Sequence, residues 1–263
     1  MPKRAKAPKG FYTASEVMKL LGIPSSTLYD LVKAGKIERA VEPNRRDGYY
    51  PKRPVDEMVR ARQLFLLQYA TDPAIFVKAT AQDAQGIYDV GVSLWGAMGT
   101  PPVETRLGWY HSNPDIDYVI KQEGTVAGYI SLMPLKRETL RQLMSGDKRG
   151  WEVKPDEVLP FMPGVPLECF VMAIGIRAGL RKAEKYGMRL LIGSIHVLGE
   201  LARESVIIEK LYAISSSSGG MKACCELGFE EIDPLPETTR KRFVLDVATS
   251  NSLLLREYHE ARR

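Results

Sequence analysis

The residue pattern indicates an α+β protein in two domains. A small basic head of short helices with a β-hairpin wing precedes a larger body built on a mixed sheet with helices on both faces. Length is the first reason, because 263 residues exceed one small core and suit two domains of roughly 100–200 residues each. Charge is the second. Residues 1–62 hold 14 Lys and Arg against 7 Asp and Glu, while the remaining 201 hold 23 against 25. A basic head on a near-neutral body is the distribution of a polyanion-binding module attached to something else. The third reason is periodicity, which passes from two short helical patterns to alternating strands and helices.

Composition excludes several classes. With 44% hydrophobic and 26% charged residues, the chain is neither disordered nor fibrous. No apolar run reaches the ~18 residues of a membrane span. The basic start, Met1 to Lys6, has no apolar stretch behind it, so a secretory signal is not expected. Cys169, Cys224 and Cys225 make neither an even disulfide set nor a CxxC pair, and His111, His196 and His259 are dispersed. These features predict a cytoplasmic protein without a metal site or membrane contact.

In the head, Thr13-Ala14-Ser15-Glu16 has capping-box spacing, Val17, Leu20 and Leu21 follow at helical spacing, and Gly22 ends that helix. Ser25 is placed to cap a second helix whose Leu28, Leu31 and Val32 share a face, ended by Gly35. Two short helices joined by about four residues around a glycine form a helix-turn-helix. Ser25, Ser26, Thr27, Tyr29 and Lys33 lie on or near the second helix's outer face, as polar and basic groups suited to phosphates and base edges in a major groove. Residues 36–41 read as a strand, Pro43 to Gly48 as a turn, and Tyr49-Tyr50 as the return. That hairpin wing carries Arg45 and Arg46 at its tip, Tyr49 on its return and Lys52 and Arg53 at its base, all candidate DNA contacts. A helix from Pro54 to Tyr69 closes the head.

The segment Tyr12-Thr13-x-x-Glu16-Val17-x-x-x-Leu21-Gly22-Ile23, continued by Thr27-Leu28-Tyr29, Gly35-Lys36-Ile37 and Gly48-Tyr49-Tyr50, resembles the winged helix-turn-helix of MerR-type regulators and excisionases. The resemblance implies double-stranded DNA as partner and, for a single module of this size, a homodimer on an inverted repeat. It assigns residues 1–70 to the winged helix-turn-helix domain with its connecting helix.

In the body, residues 74–79 read as a strand, and Thr80 with Asp83 opens a helix to about Leu94. Residues 117–122 and 126–132 are strands joined by Glu123-Gly124-Thr125. A long polar region, 133–167, reads as irregular, either a substrate-covering insertion or a partner surface. Residues 168–177 form an apolar strand, and 186–203 a helical pattern interrupted by Gly193 and Gly199. Residues 206–214 are a strand, Ser215 to Gly220 a turn, and 221–227 a short helix. Strands at 229–232 and 242–247 follow, then a terminal amphipathic helix at 251–263.

Gly124 to Ile130 and the run Cys225-Glu226-Leu227-Gly228-Phe229-Glu230-Glu231 resemble recurrent segments of GNAT-type N-acyltransferases. The resemblance implies a GNAT-like mixed β-sheet domain over 71–249, followed by a helical tail over 250–263. It implies acetyl-CoA or a related acyl-CoA as cofactor, with its pyrophosphate on backbone amides where the fourth strand meets the next helix. Gly175, Ile176, Arg177, Arg181, Lys182, Lys185, Tyr186, Gly187 and Ser217 are then the cofactor-binding candidates. The family's Q/R-x-x-G-x-G/A loop fits in neither register around Gly187: one places Lys185 at its first glycine, the other ends on Arg189. Arg181, Lys182 and Lys185 offer charge in place of those glycines.

The resemblance places a general base at Glu168, flanked by Leu167, Cys169 and Phe170. A salt-bridged strand-end carboxylate is the other reading of that residue. The family's usual acidic tyrosine aligns with Cys224, either a weak acid or a packing thiol, and Tyr212 is the fallback. Two functions remain open from the sequence. One is a DNA-binding transcriptional regulator whose body binds acyl-CoA and transfers the acyl group to an amine. The other is an inactive GNAT-like scaffold or sensor in a DNA-binding accessory protein of a mobile element or recombination complex.

Overall fold

A computed structural model of the chain describes residues 7–41, 48–68, 74–233 and 239–263, with backbone alone for 63–68. The chain divides into two compact units, Met1–Thr71 and Asp72–Arg263.

The first unit orders β1 (Phe11–Thr13), α1 (Ala14–Leu21), α2 (Ser25–Lys33), β2 (Tyr49–Pro51) and α3 (Lys52–Gln68). Thr13 caps α1 through a reciprocal box with Glu16, and Gly22 ends the helix in the left-handed region at φ 57°. That conformation costs an L side chain ~1 kcal/mol and costs glycine nothing. At α2 the cap position belongs to Pro24 and makes no side-chain bond, so Ser25 is the first helical residue and not the cap. Val17, Leu21, Leu28, Ile37, Tyr50 and Val55 form the buried centre.

The expected wing strand over 36–41 is absent. Only Ala40 bridges Tyr49, with 2.8 Å hydrogen bonds in both directions. The return strand β2 pairs instead with β1, in the register Tyr12↔Tyr50. The cause is burial, since Ile37, Tyr49 and Tyr50 all turn inward, leaving no two-faced ribbon. The wing tip with Arg45 and Arg46 lies outside the described residues.

The second unit contains β3 (Ile75–Lys78), α4 (Ala84–Trp95), α5 (Val103–Ser112), β4 (Asp117–Gln122), β5 (Thr125–Pro134), α6 (Arg137–Ser145) and β6 (Pro166–Ile176). It continues with α7 (Ala183–Arg203), β7 (Ile207–Ser215), α8 (Ser218–Glu226), β8 (Glu230–Ile232), β9 (Lys241–Asp246) and α9 (Arg256–Ala261). Seven strands form one mixed sheet in the order β3-β4-β5-β6-β7-β9-β8. Among the described strands only β6 and β7 run parallel, joined by the crossover helix α7. One face packs on α7 and α9 through Cys169, Leu198, Leu211 and Phe243. The other packs on α5 and α6 through Trp109, Met133, Leu140 and Phe170.

Two elements correct the sequence reading. Helix α5 was not anticipated, and the region read as irregular contains helix α6, whose Leu140, Leu143 and Met144 are buried at helical spacing. Helix α7 also runs unbroken through both glycines, because they are packing points. A Cβ at Gly193 would stand 2.4 Å from the Phe76 ring, and one at Gly199 2.9 Å from Glu257.

Candidate active site and nucleic-acid interface

Strand β6 pairs with β7 from Pro166↔Ile207 only as far as Val171↔Ala213. Beyond that point β6 stays with β5, ending at Gly128↔Ile176, while β7 stays with β9, ending at Ser215↔Lys241. Two parallel strands therefore part, and the edge of β6 from Met172 to Ile176 faces away from any ladder with β7. A register shift against β5 at Ser131/Leu132 falls at Met172, where the strands part, and one against β7 at Leu167/Glu168 falls earlier, within the paired stretch. Such bulges re-aim side chains locally.

Glu168 and Tyr212 meet at this place. Both are half-buried, and the Tyr212 hydroxyl donates to Glu168 Oε1 at 3.1 Å. Tyr212 packs with the cluster under α5 and α6, as does Phe170, two residues beyond Glu168 on the same side of β6. Burial, then the Glu168 charge and its hydrogen bond, push the Tyr212 phenol up to about 12, so it is a protonated donor at neutral pH. Cys224 is placed differently. It packs with Met221 and Leu227 against the cluster on the α7 face, and burial pushes its thiol up to about 11. The fold thus joins Glu168 to Tyr212 and gives Cys224 an apolar setting on the opposite side.

The chain leaving β6 reaches α7 in six residues. Arg177 turns back on β5, its amide donating to Ala127 O at 2.8 Å and its guanidinium to Val126 O at 3.1 Å. It therefore anchors the loop instead of facing solvent. Gly175 lies where a Cβ would strike Leu94 at 2.4 Å, and Ile176 packs beside Tyr186. Gly179 takes a left-handed turn at φ 79°, which presents Arg181 and Lys182 at the surface before α7 begins. Lys185 and Gly187 are half-buried in the first turns. Tyr186, expected at the cofactor, is fully buried with its hydroxyl on Gln122 at 2.9 Å; its ring fills the space under β4 and β5. Ser217 caps α8 by accepting from Gly220 N at 3.1 Å.

A buried polar group behind this site escaped the sequence. Arg106 of α5 is 1% exposed and donates to the Tyr129 hydroxyl at 2.9 Å, leaving its Nε and one terminal nitrogen without hydrogen-bond partners. Asp117 lies opposite Ser131 on the neighbouring strand and accepts from it. Burial raises the Asp117 carboxyl against the pull of the Arg106 charge. Polarity alone would have put these residues outside.

In the first unit, Ser25, Ser26, Tyr29 and Lys33 line the exposed side of α2, with Tyr29 at 64%, and Thr27 is half-buried. Tyr49 is corrected: it is buried and belongs to the centre of the unit, not its surface. Lys52 and Arg53 stand on the first turn of α3 rather than at a wing base. The Lys52 ammonium lies 5.0 Å from the Tyr12 ring centre, and Arg53 pairs with Glu57 at 3.2 Å. Among the described residues, no group of His, Cys, Asp and Glu is placed to hold a metal, and no helix is long and apolar enough to cross a membrane.

Residues 11–63 match the family model of the helix-turn-helix domain. No curated protein matches the chain. Among solved structures, the loading GNATL domain of CurA from Lyngbya majuscula is similar at 14% identity and TM-score 0.48, over 67% of this chain and 99% of that one. Ard1 from Thermoplasma volcanium is similar at 10% identity and TM-score 0.45, over 66% and 97%. The putative acetyltransferase yncA from Salmonella typhimurium, solved with acetyl-CoA, is similar at 14% identity and TM-score 0.42, over 69% and 98%. The chain thus joins a segment that matches the helix-turn-helix family model, residues 11–63, to a body built on a seven-stranded mixed sheet.

Proposed function

We propose that the chain is a DNA-binding regulator whose body binds acetyl-CoA or a related acyl-CoA and transfers the acyl group to a primary amine. The observation carrying the reading is the Tyr212–Glu168 hydrogen bond, in the last paired stretch before β6 and β7 part. The exposed edge of β6 suits the amides of a pantetheine arm. The loop ending in Arg181 and Lys182, which leads into the 21-residue α7, suits a pyrophosphate through its charge.

An acyl-CoA supplies an activated acyl carbon with a thiolate leaving group. In this reading Glu168 accepts the proton that the attacking amine loses. Tyr212 gives its own proton to the departing sulfur and regains one from Glu168 along their hydrogen bond, so proton and charge balance. A phenol near 12 is alone too weak an acid for a thiolate of ordinary pKa ~8.5; coupling to the newly protonated carboxyl makes the transfer downhill.

On the head, Ser25, Ser26, Thr27, Tyr29 and Lys33 of α2 form the DNA-facing helix, with Arg45, Arg46, Lys52 and Arg53 on the backbone. Two copies on an inverted repeat give the module adequate specificity. A second reading is favoured by the loop itself, where Arg177 is tied to β5 and charged residues replace glycines: a sensor that binds acyl-CoA and changes DNA affinity without turnover. Calorimetric titration with acetyl-CoA, against free CoA, tests the shared premise. Micromolar binding that prefers the acetylated form supports it, and no binding by the folded protein removes it. Product formation then separates enzyme from sensor.

A further inference from the structure

The strand register beside Glu168 supplies an amine from the protein itself. In the β6–β7 pairing Glu168 lies opposite Lys210, and Phe170 lies opposite Tyr212. Residues opposite each other in a ladder share a face, as do residues two apart on one strand. Phe170 and Tyr212 both pack in the cluster under α5 and α6, so Glu168 and Lys210 face that same side. The Glu168 carboxyl accepts from the Tyr212 hydroxyl at 3.1 Å, over the stretch of β7 that holds Lys210 as well. Same-face neighbours on a strand stand about 6.6 Å apart, a gap that the flexible four-carbon stem of a lysine covers. Lys210 is half-buried, and among the described residues no hydrogen bond or ion pair engages its ammonium. Half-buried lysines elsewhere in the body are held, Lys121 by Asp83 at 2.7 Å, Lys148 by Glu157 at 2.5 Å and Lys241 by Glu231 at 2.9 Å. Asp246, opposite Lys210 on β9, is directed into its own turn, where it accepts from the Thr249 amide at 3.1 Å and hydroxyl at 3.0 Å. The Lys210 charge reaches that carboxylate only through space. A half-buried cation without a bonded partner is costly to keep, and this one gives up no contact in order to react.

Resting on the acyl-transfer reading, we infer that Lys210 is a modification site, its ε-amine an internal acceptor of the acyl group through the Glu168 and Tyr212 of the same chain. A general base acts on a proton within hydrogen-bond reach, about 2.6–3.2 Å. Rotation about the Lys210 stem brings its amine to that place, whereas an outside amine loses translational and rotational freedom to arrive there. The ammonium first releases one proton to water. Its nitrogen then attacks the thioester carbon, so that an N–C bond forms and the C–S bond breaks. Glu168 takes the second proton, Tyr212 protonates the departing sulfur and regains a proton from Glu168, and the products are an ε-N-acyl-lysine and free CoA. The acylated side chain is neutral, so the modification removes a positive charge from the side of the sheet that holds Glu168.

The test incubates the full-length protein with saturating deuterated acetyl-CoA and locates the label by peptide mass spectrometry. The expected result is label at Lys210 ahead of every other lysine, at a rate per chain that does not change on tenfold dilution of the protein. Glu168→Gln slows that labelling about 100-fold, while calorimetric affinity for acetyl-CoA stays within twofold of the parent. Tyr212→Phe slows it as well, so the result does not hang on one variant folding. Label spread evenly over the surface lysines, label at Lys210 that both variants leave unchanged, a rate that falls with dilution, or no label despite acetyl-CoA binding each overturns the inference while acyl-CoA binding stands. Failure to bind acetyl-CoA is the distinct result that removes both readings.

Discussion

Replacing Glu168 by Gln is the sharpest perturbation of the site, because it keeps the shape and the acceptor oxygen while abolishing the proposed base. The Tyr212 hydroxyl, 3.1 Å from Oε1, can still donate to the amide oxygen, so the fold and the strand parting persist. A positioned general base contributes about 10²–10⁴ in rate, and each tenfold is about 1.4 kcal/mol. Glu168→Gln therefore lowers kcat by about 3–5 kcal/mol of barrier at neutral pH. Tyr212→Phe removes the proposed acid and its hydrogen bond but leaves the carboxylate, and its loss falls in the same range of about 10²–10⁴ in rate. Because the two share one hydrogen bond, the double variant loses less than the sum, with a coupling of about 0.5–3 kcal/mol. The assay is initial-rate acetyl transfer at saturating acceptor, with acetyl-CoA affinity measured separately by calorimetry. Unchanged turnover in Glu168→Gln refutes Glu168 as the base, and fully additive losses refute the proton path between the two residues.

Four further outcomes follow from individual contacts. Gly193→Ala drives a methyl to within 2.4–2.5 Å of three Phe76 ring atoms, and overpacking of this kind costs about 1–3 kcal/mol; the denaturant midpoint of the body falls accordingly. Thr13→Ala breaks the reciprocal cap of α1 at a cost of about 1 kcal/mol, read as faster hydrogen exchange of the α1 amides. Lys33→Ala on α2 weakens duplex binding across sequences and lowers the salt slope by about 1; an unchanged slope means Lys33 touches no phosphate. Burial would raise the Glu157 carboxyl, but the Lys148 ammonium, the Lys154 amide and the Thr139 hydroxyl outweigh it and hold it below the usual range. A lowered folded pKa contributes stability above the unfolded value near ~4.3 that is lost as pH falls through the folded one. Glu157→Gln should therefore destabilise the protein at pH 7 and progressively less toward pH 3, as followed by urea unfolding.

What could be read from the sequence was local. The α1 cap needs only Thr13 and Glu16 three residues apart, and its stop needs only Gly22, so both stand where the residues put them. The strand bearing Glu168 announced itself as an apolar run, and Tyr212 on the next strand was near enough in pattern to be a fallback. What escaped depended on distant partners. The return strand Tyr49–Pro51 pairs with Phe11–Thr13, 38 residues away in the register Tyr12↔Tyr50, and no local signal chooses that partner over residues 36–41. Helix α5 buries Arg106 and Trp109, so its inward stripe contains a charge and defeats the polarity rule. Helix α6 did carry its signal in Leu140, Leu143 and Met144, but neighbouring glycines and prolines masked it. Tyr49 was placed by the expected wing, and Tyr186 and Arg177 by the resemblance at the phosphate loop; all three are held by the protein's own interior or backbone.

The parting of β6 and β7 links these corrections to the chemistry. A parallel pair requires a crossover, and α7 supplies it, so the start of that helix stands beside the end of β6, where a ligand-binding crevice forms in open sheets. Antiparallel partners on the outer sides, β5 for β6 and β9 for β7, then hold each strand after the two separate. Among the described residues the inner edges between them keep no ladder partner beyond Val171↔Ala213, so the outer partners are what hold both strands in the sheet there. Gly128 is what lets β5 follow β6 so closely, since a Cβ there would lie 2.3 Å from Ile176 and 2.8 Å from the Gly175 carbonyl. Gly128→Val therefore pushes β5 off β6 at the far end of the split, and its effect reads on the site: acyl-CoA affinity falls, while the hydrogen bond between Tyr212 and Glu168, anchored where β6 and β7 are still paired, persists. A variant that binds acetyl-CoA as tightly as the parent would show that the open edge of β6 is not where the thioester lies.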